Sequence, residues 1–177
     1  MKKILVVVDY QKDFVDGALG FPKAKELEVG IYTKVNSYLD EGNTVIFTYD
    51  THEENYLQTR EGKNLPIVHC IDKTEGHDLY GRLKEFKNRK NTIHINKASF
   101  GIDPTDMIML RDKLGEIDDI EIVGVVTDIC VISNVVTFQS TFVNATITVD
   151  SNLCASFNDE KHKKALDVMQ SIQANIK

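Results

Sequence analysis

Apolar runs of strand length alternate along this chain with stretches whose apolar residues recur at helical spacing, and this alternation limits the fold more than any other feature. Residues 4–8, Ile4-Leu5-Val6-Val7-Val8, are continuously apolar, the pattern of a strand covered on both faces. Leu27, Ile31, Val35 and Leu39 then recur every four residues, which predicts a helix with one apolar stripe, ended by Gly42-Asn43. Residues 45–47, 92–96, 120–126 and 146–149 read as four further strands. Helices are expected over 79–86, from Thr105 through Ile108, Leu110 and Leu114, and over 129–142, where β-branched content weakens the propensity. A last helix begins near Asn158, with Asp159 and Glu160 in its first turn and Leu166, Met169 and Ile172 as its stripe. The pattern implies an α/β fold, a three-layer α/β/α sandwich with a mostly parallel, Rossmann-like central sheet and right-handed crossovers. Residues 50–77 form a long irregular stretch rich in polar and ionisable side chains, the kind of segment that carries function inside a compact domain.

With 177 residues the chain is read as one domain, 1–177. Its hydrophobic fraction of 42% and charged fraction of 27% are those of a soluble globular protein. A net charge of -6 and the lack of a basic stripe argue against a nucleic-acid partner. No apolar run is long enough to span a membrane, and the first strand begins too early for a signal peptide. Cys70, Cys130 and Cys154 are odd in number and widely spaced, which predicts free thiols in a reducing cytoplasm rather than a disulfide framework. There is no G-x-G-x-x-G and no P-loop, so phosphate binding has no support. Oligomeric assembly is left open.

Open α/β sheets bind ligands outside the carboxyl ends of their strands. Asp9, Lys97 and Cys130 each stand just past a different expected strand. Singly, Asp9 reads as a turn residue and Lys97 as a solvated lysine, and a lone cysteine is ordinarily inert packing. Together they supply a base, a cation and a nucleophile. Thr127-Asp128 is an N-cap candidate that would put Cys130 in the first turn of a helix, where the partial positive charge favours thiolate. Asp50, His52 and His69, on the irregular stretch, offer one carboxylate and two imidazoles, a set suited to a divalent transition metal. His77, His94 and His162 have no such partners and read as structural or exposed, and Cys154 as packing.

These residues lie in motifs that resemble those of the isochorismatase-like cysteine hydrolases, and among them the nicotinamidases (pyrazinamidases). The resemblance runs through Val8-Asp9-Tyr10-Gln11-Lys12-Asp13-Phe14, Tyr49-Asp50-Thr51-His52, Leu65-Pro66-Ile67-Val68-His69-Cys70, Lys97-Ala98-Ser99-Phe100 and Gly124-Val125-Val126-Thr127-Asp128-Ile129-Cys130-Val131, in the family's order over nearly the whole chain. It implies an isochorismatase-like fold and a catalytic triad of Asp9, Lys97 and Cys130. It also implies a cis peptide at Val125-Val126 and an oxyanion hole from the backbone N–H groups of Val126 and Cys130. The metal ligands it implies are Asp50, His52 and His69, with Glu61 as the fourth-ligand candidate and zinc as the first choice over manganese or iron. Phe14 and Phe100 are candidates to flank a flat substrate ring.

The activity so implied is hydrolysis of nicotinamide to nicotinic acid and ammonia through a Cys130 thioester, a step in pyridine nucleotide salvage. A second enzyme reading keeps the cysteine and changes the substrate to another small amide or carbamoyl compound. A non-enzymatic reading makes Cys130 the sensor of a redox or ligand-binding module. Two departures bear on the substrate. Pro66-Ile67-Val68 stands where some relatives carry Trp, and Lys73-Thr74-Glu75-Gly76 where many read Gly-Thr-x-Gly.

Overall fold

The computed structural model describes residues 1–177. Six strands form one sheet: β1 (Lys3–Val8), β2 (Thr44–Asp50), β3 (Thr92–Lys97), β4 (Asp119–Val125), β5 (Thr146–Ala155) and β6 (Asn175–Ile176). Their spatial order is β3-β2-β1-β4-β5-β6, and every pairing is parallel. The chain therefore winds outward from β1 in one direction and returns through β4 in the other. This reversal places a crevice at the carboxyl ends of β1 and β4.

The helices are α1 (Lys12–Val15), α2 (Pro22–Glu26), α3 (Glu28–Asp40), α4 (Arg60–Asn64), α5 (Pro104–Leu114), α6 (Ile132–Thr141) and α7 (Asp159–Ser171). Side chains alternate across a strand, and β1 shows the result. Ile4, Val6 and Val8 pack with Met107 and Leu110 of α5, Val135 and Phe138 of α6 and Met169 of α7. Leu5 and Val7 pack with Ile31 and Val35 of α3 and with Leu83 and Phe86. The sheet is thus sandwiched between two helical layers, as the alternation of runs predicts. No helix is long and apolar enough to cross a membrane.

Several elements differ from the sequence expectation. The sheet is wholly parallel and gains β6, whose two residues are too few to show a period. β5 continues to Ala155 through the polar residues Asp150, Ser151 and Asn152, which periodicity alone ends at 149. The expected helix over 79–86 is a 3₁₀ segment, Gly81–Phe86. The irregular stretch contains a 3₁₀ turn, Tyr56–Gln58, followed by α4. On α5 the inward stripe is Met107, Leu110 and Leu114, and Ile108 faces solvent. Ile172 is likewise exposed at the end of α7.

One glycine is required where β4 meets β1. Gly124 pairs with Val8, has φ 118° and would place a Cβ 2.2 Å from the Val8 carbonyl oxygen. Neither the backbone conformation nor the spacing admits a side chain. Gly124→Ala is expected to destabilise the protein by about 1–3 kcal/mol, measured as a lowered urea midpoint. An unchanged midpoint would contradict this close approach.

Candidate active site

The parallel sheet brings four strand ends to one place. Asp9 follows β1 directly and has φ 45°, a left-handed conformation uncommon for a residue with a side chain. Asp50 closes β2 and Lys97 closes β3, and the two are register partners. Cys130 lies in the turn that follows β4, after a cis peptide between Val125 and Val126.

Lys97 is the centre of this group. Its side chain is fully buried, with Nζ 2.6 Å from Asp9 Oδ2 and 3.7 Å from Asp50 Oδ1. The ammonium donates to the Ser99 carbonyl at 3.0 Å and lies 3.8 Å from Cys130 Sγ. Burial opposes the lysine's charge, but Asp9, Cys130 and Asp50 outweigh it and hold the ammonium above the usual lysine range. Asp9 is fixed by Thr48, whose hydroxyl donates to Asp9 Oδ1 at 2.6 Å and accepts from the Asp9 N–H at 3.2 Å. Asp9 Oδ2 is buried and faces the Lys97 ammonium. Burial pushes the Asp9 carboxyl up, and the Lys97 charge offsets only part of that.

Burial also pushes the Cys130 thiol well up, with Lys97 opposing and Asp9 adding to the rise. A base must take the thiol proton before the sulfur can attack. The side-chain N-cap expected at Thr127-Asp128 is not formed. The Thr127 hydroxyl is paired with His162 Nδ1 at 2.8 Å, and the Asp128 carboxylate accepts from the Ser156 hydroxyl, so neither side chain caps. Residues Thr127–Val131 form a π-type turn, closed by the Val131 N–H on the Val126 carbonyl at 3.1 Å, and α6 begins only at Ile132. The Val126 N–H makes no backbone hydrogen bond.

A second group adjoins the first. Asp50, His52, Glu61 and His69 each offer a ligand atom, all within 4.8 Å of one another. Asp50 Oδ2 lies 3.1 Å from His52 Nε2 and 3.2 Å from His69 Nε2, while Glu61 Oε1 is 3.6 Å and 3.9 Å from the same nitrogens. Although burial alone would raise Asp50, hydrogen bonds from both histidines and the Lys97 charge hold its carboxyl well below the usual range. Glu61 is pushed up by burial and by the Asp50 charge. His69 donates from Nδ1 to the Ile67 carbonyl at 2.8 Å, which aims Nε2 at the group. Tyr56 is buried against both imidazole rings. Asp50 Oδ1 is buried without a hydrogen-bond partner. Two imidazoles and two carboxylates suit a first-row divalent metal.

Gln11 and Asp13 hold this second group in place, although the sequence shows them only as letters of a motif. The Gln11 amide donates to the Asp50 and His77 carbonyls, both at 2.9 Å, and accepts from the Asp50 N–H at 2.8 Å. Asp13 accepts from the Cys70 N–H at 2.7 Å, which fixes the residue next to His69. Thr48 carries no sequence signal at all, since nothing separates it from an ordinary strand threonine.

Other expected residues fall nearby with different surroundings. Phe14 is buried with its ring edge-on to His69 at 5.5 Å. Phe100 is half-buried against the α5–α6 side of the core. A cleft of ≈ 440 Å³ opens beside Lys97 and His52, lined also by Thr51, Asn55, Asp72 and Asn96, and neither phenylalanine lines it. Cys70 and Cys154 are buried, and burial raises both thiols. His94 stacks on Phe47 and bonds the Tyr49 hydroxyl at 2.8 Å. His77 bonds the Thr51 hydroxyl at 2.8 Å.

A wholly parallel three-layer sandwich with ionisable groups gathered at its switch point is the scaffold of an α/β enzyme. Residues 3–176 match the Isochorismatase domain, and the chain belongs to the isochorismatase family. It is 32% identical to the uncharacterized isochorismatase family protein PncA of Bacillus subtilis (strain 168) in an alignment 175 positions long that covers 94% of this chain and 93% of that protein. The crystal structure of nicotinamidase/pyrazinamidase PncA from Bacillus subtilis superposes with a TM-score of 0.88 at 30% identity, covering 99% of both chains. The pyrazinamidase of Pyrococcus horikoshii, crystallised in complex with zinc, has the same fold, with a TM-score of 0.86 at 22% identity over 100% of this chain and 99% of that one.

Lys97 is the counter-charge for two buried carboxylates. Lys97→Met is expected to cost about 3–5 kcal/mol in urea denaturation of the metal-free protein. Without the lysine, Asp9 binds its proton more tightly in the folded than in the unfolded state, so the variant's stability falls as pH rises above the ordinary carboxylate range. A variant as stable as the wild type at neutral pH would contradict the role of this cation.

Proposed function

We propose that this protein is a nicotinamidase-like amidohydrolase that converts nicotinamide and water to nicotinic acid and ammonia. The observation that carries the reading is the buried cysteine 3.8 Å from a lysine that is itself ion-paired to an aspartate. The likeness to the Bacillus subtilis nicotinamidase/pyrazinamidase over 99% of both chains supports the substrate class.

Asp9 takes the thiol proton of Cys130. The sulfur attacks the carboxamide carbon, and the carbonyl π electrons move to oxygen. Backbone N–H groups of Val126 and Cys130 hold that oxyanion, and the uncommitted Val126 donor supports the assignment. Collapse of the intermediate breaks the C–N bond, and Asp9 returns the proton to the departing ammonia. Asp9 then takes a proton from water, whose oxygen attacks the thioester, and the sulfur leaves to recover its proton. Lys97 keeps the charge of Asp9 and of the sulfur compensated throughout.

Asp50, His52, Glu61 and His69 would hold the metal, with zinc first among the candidates on the strength of the nitrogen and oxygen donors. When bound, such an ion supplies a Lewis-acidic centre for the pyridine nitrogen. We assign Phe14 and Phe100 to the ring-binding walls, and the whole chain to one hydrolase domain. Three free buried thiols fit a reducing, cytoplasmic setting, and nicotinic acid is a product suited to salvage of pyridine nucleotides.

Ammonia release from nicotinamide by the zinc-loaded protein tests the reading. The wild type is expected to turn over. Cys130→Ala is expected to lose at least about a thousandfold in kcat while binding zinc as tightly as the wild type. Full turnover by the variant, or none by the zinc-loaded wild type, would overturn the proposal.

A further inference from the structure

Asn134 is a fully buried amide on α6, one turn beyond the nucleophile, and all its side-chain hydrogen bonds go to backbone. Its Nδ2 donates to the Cys130 carbonyl at 2.8 Å and to the Phe100 carbonyl at 3.2 Å. Its Oδ1 accepts from the Ile102 N–H at 3.3 Å. The first bond stays within the helix start. The other two reach the segment after β3, whose Ser99 carbonyl accepts from Lys97 Nζ at 3.0 Å. That segment lies flat on α6, where Gly101 comes so close that a Cβ would stand 3.2 Å from the Thr137 methyl.

We infer that Asn134 is a positioning residue that staples the 99–102 segment to the nucleophile turn and so fixes the carbonyl that aims the Lys97 ammonium at Asp9 and Cys130. A lysine carries three donors on a flexible stem. The Ser99 carbonyl takes one of them, which limits the directions left for the other two. If the segment drifts, the ammonium loses that anchor while its ion pair with Asp9 persists. The inference rests on the roles proposed above for Lys97 and Cys130. It adds a residue that touches neither substrate nor metal group and acts through Ser99.

Asn134→Thr separates the staple from the local bond. A threonine hydroxyl bonds the carbonyl four residues back in a helix, so the link to Cys130 survives while those to Phe100 and Ile102 are lost. Three readouts apply to the zinc-loaded protein. Backbone amide exchange at Ile102 should accelerate. Alkylation of Cys130 by iodoacetamide at a fixed neutral pH should slow, because Lys97 supports the thiolate less well. The kcat for nicotinamide should fall about 10- to 100-fold with KM changed far less. Exchange and alkylation need no substrate, so they stand or fall apart from the nicotinamide reading. Unchanged or faster alkylation, or unchanged Ile102 exchange in a folded variant, overturns the inference. Should the variant not fold, the wild type decides: an Ile102 amide that exchanges as fast as an exposed loop amide overturns it, and a protected one supports it.

Discussion

A lysine ammonium with no access to water is the interaction on which the rest of this site depends. A buried cation is tolerable only with counter-charges and hydrogen bonds close by, and Lys97 has Asp9 at 2.6 Å, Asp50 at 3.7 Å and the Ser99 carbonyl at 3.0 Å. Each of these partners belongs to a different function. Asp9 is the proposed base, Asp50 is shared with the histidine group, and Ser99 begins the segment that lies on α6. The lysine thus joins two sites that could otherwise be described separately. It also explains why both carboxylates persist in a place where burial disfavours their charge.

The topology makes this possible without any long-range design in the chain. A parallel sheet puts every carboxyl end on one side, and the order β3-β2-β1-β4-β5-β6 sets β1 at the centre with β4 beside it. Asp9, Asp50 and Lys97 come from three neighbouring strands, so their spacing is fixed by sheet geometry rather than by loops. Cys130 comes from the turn after β4, across the switch point. Rigid elements hold reacting groups more closely than loops do, and three of the four groups are within one residue of a strand.

The same logic explains what could be read from sequence. Continuous apolar runs mark strands, so a lone ionisable residue at the end of each run already pointed to one rim of one sheet. Asp50, His52 and His69 were legible as a donor pattern, and Glu61 enters their group through Tyr56–Gln58 and α4, short elements that no periodicity announces. Thr127 and Asp128 misled, because a local capping pattern says nothing of His162 and Ser156, which lie far along the chain and take up those side chains. Thr48 and Asn134 gave no signal, since a buried polar residue inside a strand or helix shows its partners only when the fold is known. Gln11 and Asp13 were visible as motif letters, and only the structure gives their work.

The central claim is that Cys130 carries the acyl group between loss of ammonia and entry of water. Running the reaction with nicotinamide in the presence of hydroxylamine tests this directly, because a thioester is captured by the stronger nucleophile. The account predicts that the hydroxamate of nicotinic acid forms at the expense of free nicotinic acid, and that none forms with Cys130→Ala. Ammonia release with nicotinic acid as the sole product at every hydroxylamine concentration would contradict it and point to direct attack by water.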